Sequence, residues 1–210
     1  AKHISTDLIK YVYNKAEEGG DVLSLSGLLS IIGHHAMVEL SKRILQRPLD
    51  EKRIEIASSL VFAAGEALDP IMPQFAERLI SMSAHPPTEE EGQLAIRVAF
   101  GVIDSLNTSR REIFTSKLVE NMRNQQPQNR KAATIIGGYL LKKECCEYNQ
   151  IVSLLVRASL YLFDDPLDDI QIDAIQAIRG VGENININDV PSLIKEVCET
   201  LESICSVSDV

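Results

Sequence analysis

Four histidines, four cysteines and a run of aspartates are the residues of this chain whose chemistry could go beyond packing. His35 and Glu39 stand four apart, so a helix would put both on one face, as a zinc pair requires. A zinc site needs three or four protein ligands, and no third stands nearby, so the plainer reading is a helix-start histidine with an ordinary side-chain neighbour. Cys145 and Cys146 are adjacent, which disfavours a disulfide between them. Lys131, Lys142 and Lys143 could lower a thiol pKa there and make it redox-active. The competing reading is that one cysteine packs and the other ends a helix. Cys198 and Cys205, seven apart, read as two core positions of one helix. With no CxxC pair, all four cysteines are expected as reduced thiols. Asp164, Asp165, Asp168 and Asp169 offer carboxylates for a cation, but without the alternating ligand order of a calcium loop. Acids beside Pro166 also suit a helix start, where they meet the positive end of the dipole. Gly137-Gly138 and Gly180-Val181-Gly182 follow no strand and are too sparse for a phosphate loop. No Ser/His/Asp set and no carboxylate pair with an evident pocket emerges. The expectation is a chain with no catalytic residue, no metal, no cofactor and no small-molecule substrate, and therefore not an enzyme.

Charge gives a more specific lead. The chain is acidic overall, at −9, which argues against a non-specific nucleic-acid binder. Yet residues 110–143 hold eight basic side chains, Arg110, Arg111, Lys117, Arg123, Arg130, Lys131, Lys142 and Lys143, against only Glu112 and Glu120. A basic band on an acidic body can steer an acidic protein or an RNA backbone. The alternative is a solvated face whose charges pair with neighbouring elements. No aromatics interleave the band in the way single-stranded nucleic-acid binders require.

The elements that carry these residues follow a period. Pro48, Pro87, Pro127 and Pro166 are separated by 39, 40 and 39 residues, in the range of HEAT and armadillo repeats. A short polar opening and an apolar helical pattern follow each proline, which suits a proline in the first turn, where its missing N–H has no partner to lose. Asp50, Thr88 and Asp168 supply capping or dipole-matched side chains near those starts. In the last of these segments Ile172, Ile175, Ile178 and Val181 recur every three residues and are expected on one buried face. Apolar helices are also expected at about 4–17, 21–32, 37–46, 71–83, 113–123, 151–163 and 190–206. No convincing strand appears. The apolar fraction is 45%, aromatics are 5% and tryptophan is absent, a balance that favours helix-on-helix packing.

These patterns predict an all-α chain, an α-α superhelix of the HEAT or armadillo type, with about five helix pairs and a terminal helix. One array over 1–210 is expected, part of a longer solenoid, with approximate repeats at 1–33, 34–67, 68–107, 108–145, 146–184 and a partial one at 185–210. No apolar run reaches the length of a membrane span, and no signal peptide opens the sequence, so a cytoplasmic protein with no membrane partner is expected. A helix pair cannot cover its own apolar face. Stacking makes one continuous core and leaves an extended surface suited to macromolecular partners.

Two stretches carry a family resemblance. KRILQRPLDEKRIEIASSLVFAAGEALDPIMPQF, residues 42–75, resembles a repeat that ends in a small-residue helix and turns into the next through a G-(D/E)-A-L element. NRKAATIIGGYLLKKECCEYNQIVSLLVRASLYLFDDPLDDIQIDAIQAI, residues 129–178, resembles a repeat pair marked here by Arg130, Ala132, Ala133, Tyr148, Leu162, Phe163, Asp164 and Asp165. Both are similar to the C-terminal HEAT-repeat region of the translational activator of general amino-acid control, a scaffold family that senses stalled ribosomes. The resemblance implies a cytoplasmic protein of translational control. Its repeats would lie in or next to the segment that recruits the RWD domain of the general-control kinase, which phosphorylates the alpha subunit of initiation factor 2. Family recognition of that domain uses a basic contact. Arg110, Arg111, Arg130 and Lys131 are the partner-binding candidates here because they lie in the basic band. The open alternatives are contact with the ribosome or its RNA, a spacer role, and a HEAT scaffold of another pathway.

Overall fold

The computed structural model describes residues 72–208, together with Asp7, Lys10, Tyr11, Asn14, Lys15 and Asp69. His34, His35, Glu39, Pro48 and Asp50, and the helices expected at 21–32 and 37–46, lie outside the described residues.

Within residues 72–208 the chain forms seven α-helices and two short 3-10 turns, with no strand. They are α1 (Met72–Ala84), α2 (Glu89–Ser105), α3 (Thr108–Met122), α4 (Pro127–Glu144), α5 (Gln150–Tyr161), α6 (Asp168–Asn184) and α7 (Val190–Ser208). Local chemistry sets their starts. Thr88 caps α2 by accepting from the Glu91 N–H at 3.2 Å, and Glu89, Glu90 and Glu91 fill the first turn. Asn107 and Asn149 do the same for α3 and α5, accepting from the Arg110 and Val152 N–H groups at 3.0 Å. Pro127 opens α4 where no intrahelical N–H is needed, and Asp168 and Asp169 open α6. The α3 start, five residues ahead of the expected 113, shows why periodicity misses it. The first turn, TSRRE, contains no apolar residue, and only the asparagine cap marks it.

The helices form two layers. α1, α3, α5 and α7 pack side by side in one, α2, α4 and α6 in the other, and each α2, α4 or α6 also leans on the helix just before it. One apolar core runs between the layers from Met72 to Val181. Phe114, Leu118 and Met122 of α3, Leu79 and Ile80 of α1 and Ile103 of α2 lie fully inside it. Each such side chain stabilises the fold by about 1.5–3 kcal/mol through burial. α4 and α6 come close at Gly138, where a Cβ would stand 3.3 Å from the Ala177 Cβ.

Two apolar expectations need correction. In α6 the buried stripe is Ile170, Ala174, Ala177 and Val181, while Ile172 and Ile175 are exposed. A helix turns 100° per residue, so a spacing of three drifts by about 60° at each step. Three such steps carry Ile172 to the opposite side from Val181, and the stripe that stays on one face alternates four, three and four. Cys198 and Cys205 of α7 are exposed rather than core residues. Leu193, Val197 and Ile204 face the core instead, one helical position earlier.

Candidate partner-binding surface

The basic band sits on α3 and α4, and most of its charges reach acids about one repeat away. Arg110, held at the first turn of α3 by the Asn107 cap, is 5% exposed, and its Nε donates to Asp69 at 2.7 Å. Arg111 pairs with Glu144 at the end of α4 and donates to the Ile103 carbonyl at 3.3 Å. Arg130 binds both carboxylate oxygens of Asp165, at 2.6 and 3.0 Å, and donates to the carbonyls of Asn124 and Gln125 at 3.0 Å. Lys131 pairs with Asp169, and Lys143 with Asp104 at 2.9 Å. Lys117 bonds Glu120 on its own helix. Arg123 lies over the Tyr161 ring, 5.7 Å from its centre. Among the described residues Lys142 alone of the eight has neither a bonded partner nor a ring contact.

These pairs differ in worth. Arg130 and Asp165 form a fork-on-fork contact that is mostly shielded from water, and Asp165 also accepts from the Leu167 N–H at 3.0 Å. Burial on its own would raise the Asp165 carboxyl. The Arg130 and Leu167 hydrogen bonds outweigh it and leave the group below the ordinary carboxylate range. The Arg130 bond likewise raises the guanidinium. Lys131 and Lys143 are half-exposed, and exposed pairs of that kind contribute about 0–1 kcal/mol. A partner's carboxylates can therefore recruit them at little loss, whereas Arg110 and Arg130 are held inside the array.

The α5–α7 clamp has no local sequence signal. Glu196 of α7 accepts from Tyr148 Oη at 2.9 Å, Ser153 Oγ at 2.8 Å and Arg157 Nε at 2.7 Å. The partners lie 39–48 residues away in sequence, so only a search at the repeat period would have paired them. Burial, and next the Glu196 carboxylate, push the Tyr148 phenol up to about 12 from 10.0. In the unfolded chain this phenol ionises near pH 10. The fold holds it neutral, so its contribution to stability is full below that pH and is lost as pH rises through about 12. Alkaline unfolding of the Tyr148→Phe variant is expected to depend less on pH across that window than that of the wild type. Equal slopes would exclude the clamp as the cause.

The other candidates are placed as follows. Cys145 is buried at the end of α4, where its thiol donates to the Lys142 carbonyl at 3.4 Å, and burial raises its pKa. That is opposite to what a reactive thiolate requires. Cys146 is exposed. Asp165 and Asp169 of the aspartate cluster hold Arg130 and Lys131. Among the described residues no three His, Cys, Asp or Glu side chains gather as a metal site, and no helix is long and apolar enough to cross a membrane.

Over residues 40–209 the chain matches the family described as stalled ribosome sensor GCN1-like, HEAT repeats. No curated protein sequence matches it. Among solved structures it is similar to a chain described by the words "Crescerin uses a TOG domain array to regulate microtubules in the primary cilium", with 14% identity and a TM-score of 0.59. That likeness covers 95% of this chain and 88% of the other, and it bears on the fold alone. The two-layer stacking of helix pairs, the inter-repeat charge pairs and the match over residues 40–209 agree, and the chain belongs to the GCN1-like family of stalled-ribosome-sensor HEAT repeats.

Proposed function

We propose that this chain is a non-catalytic, protein-binding scaffold of translational control in the cytoplasm, in or next to the segment that recruits the RWD domain of the kinase acting on initiation factor 2 alpha. Family membership over residues 40–209 is the observation that carries this reading. The unevenly engaged basic band supports it. Of the four candidates, Arg110, Arg111 and Arg130 fix the surface from within, and Lys131, half-exposed, meets the partner. Purified RWD domain is expected to be retained by the immobilised chain, or by a version lengthened by the repeat that follows. Retention by neither ends the proposal.

The second reading is contact with the ribosome, favoured by the family's description as a stalled ribosome sensor. Counter-ion release makes such binding fall steeply with salt. Co-sedimentation with ribosomes that ignores ionic strength would count against it.

The same proposal takes the array as one segment of a longer solenoid, and the apolar far side of α6 and α7 supports this. Ser153 and Arg157 of α5 are held by Glu196 of α7, and Thr134 of α4 is buried beside α6. A shift of 41 residues turns Ser153 into Ile194, Arg157 into Cys198 and Thr134 into Ile175. Ile194 and Ile175 are 57% and 49% exposed. The face that a following helix pair covers in one repeat is thus apolar and bare in the last. Glutamate at both Ile175 and Ile194 is expected to leave the thermal midpoint of this chain within about 2 °C, since surface changes are near neutral. In a chain lengthened by one repeat the same pair of changes lowers it by several degrees. An equal response in both chains would refute the continuation.

A further inference from the structure

A groove on the α2–α4–α6 layer lies apart from the arginine pairs. Its floor is small, Gly138 against Ala177, and that close approach of α4 and α6 leaves space above it. One wall is aromatic. Phe100 and Tyr139 stack with ring centres 4.0 Å apart, and the Tyr139 hydroxyl is fixed by Asp104 at 2.8 Å. The other wall is Asp173 and Gln176 of α6, and Lys142 closes one end. The volume is about 270 Å³. That is below the roughly 300–1,000 Å³ of small-molecule pockets and suits one or two side chains of a docked segment.

The two charges that line the groove are open to solvent and make no hydrogen bond to the described residues. Lys142 has no bonded partner among the described residues. Asp173 makes no hydrogen bond there either. The adjacent Lys131 is already paired with Asp169, and burial raises the Asp173 carboxyl. Asp173 and Lys142 are therefore both free to take an opposite charge from a partner.

We propose that this groove docks a peptide segment of a protein partner which places an apolar side chain over Gly138 and Ala177, a basic side chain on Asp173 and an acidic one on Lys142. The aromatic wall supplies a flat apolar surface for the inserted side chain. The two opposite charges, at separate places along the groove, set the direction in which the segment lies. This inference rests on the reading of the chain as a protein-binding scaffold but not on the identity of the kinase domain as partner.

The test is a phage-displayed random peptide library panned on the chain, followed by fluorescence anisotropy of the enriched peptides. Titrations use the wild type, Asp173→Asn, Asp173→Lys and Lys142→Glu, each checked by its helical circular dichroism and melting. Enriched peptides are expected to carry an apolar residue flanked by opposite charges. Affinity should fall about tenfold or more on Asp173→Lys and on Lys142→Glu, less on Asp173→Asn, and recover when the matching peptide charge is reversed. Peptides that bind the folded variants as tightly as the wild type, or a library that yields no common pattern, overturn the proposal. RWD-domain retention by the wild-type chain is scored separately. Its failure alongside groove-dependent peptide binding would remove the kinase partner and leave the groove.

Discussion

Replacing Phe114 with alanine is expected to lower the unfolding free energy by about 3–5 kcal/mol, the range for deleting a fully buried aromatic side chain. Phe114 is 0% exposed on α3, the helix that packs against α1, α4 and α5. The cavity would open where both layers and both neighbouring repeats meet, so little can collapse into it. Urea denaturation followed by circular dichroism measures the change. Phe114→Leu, which keeps much of the volume, should recover more than half of the loss. A loss below about 1 kcal/mol for the alanine variant would mean that the core is not continuous across the repeats.

Replacing Asp165 with alanine is expected to cost about 2–3 kcal/mol, less than the roughly 3–5 kcal/mol of a fully buried pair, because Arg130 keeps some access to water. The change strands the guanidinium between α4 and the α6 start and removes the acceptor of the Leu167 N–H. A double-mutant cycle with Arg130→Ala isolates the pair, and the coupling should exceed about 1 kcal/mol. The pair also gives an acid signature. Asp165 has its pKa lowered by folding, so its contribution is full above the unfolded value near 3.8 and is lost as pH falls through the lower folded value. Glu196, where the bonds from Ser153, Arg157 and Tyr148 outweigh burial, follows the same direction. The Asp165→Ala variant should therefore lose less stability than the wild type on acidification below about pH 4. Equal acid losses would show that Arg130 does not stabilise the carboxylate.

The helices and their pairing were legible because the apolar pattern and the proline period are local or strictly repeated. Thr88 and Pro127 stand at the starts of α2 and α4 as their chemistry requires. The stripe in α6 escapes a reading by threes, because that spacing looks helical over two steps and drifts over three. Cys198 and Cys205 escape a reading by sevens, because that spacing fixes a common face without saying which face turns inward. The density of positive charge on α3 and α4 was plain. Its partners were not, because Asp165 lies 35 residues from Arg130 and Asp69 lies 41 from Arg110. The groove was illegible for the same reason, since Phe100, Gly138 and Asp173 meet only once three helices are stacked.

These pairs divide the band by role. Arg110 and Arg130 join repeats, and their loss is expected to lower stability. Lys131 and Lys143 sit in weak exposed pairs that an acidic partner can outcompete. A binding isotherm of purified RWD domain, on this chain and on one lengthened by the following repeat, tests the scaffold reading most directly. Saturable binding is expected. Lys131→Glu combined with Lys143→Glu should weaken it by about tenfold while the melting temperature stays close to that of the wild type. No binding to either chain, or binding that is indifferent to both reversals, would contradict it.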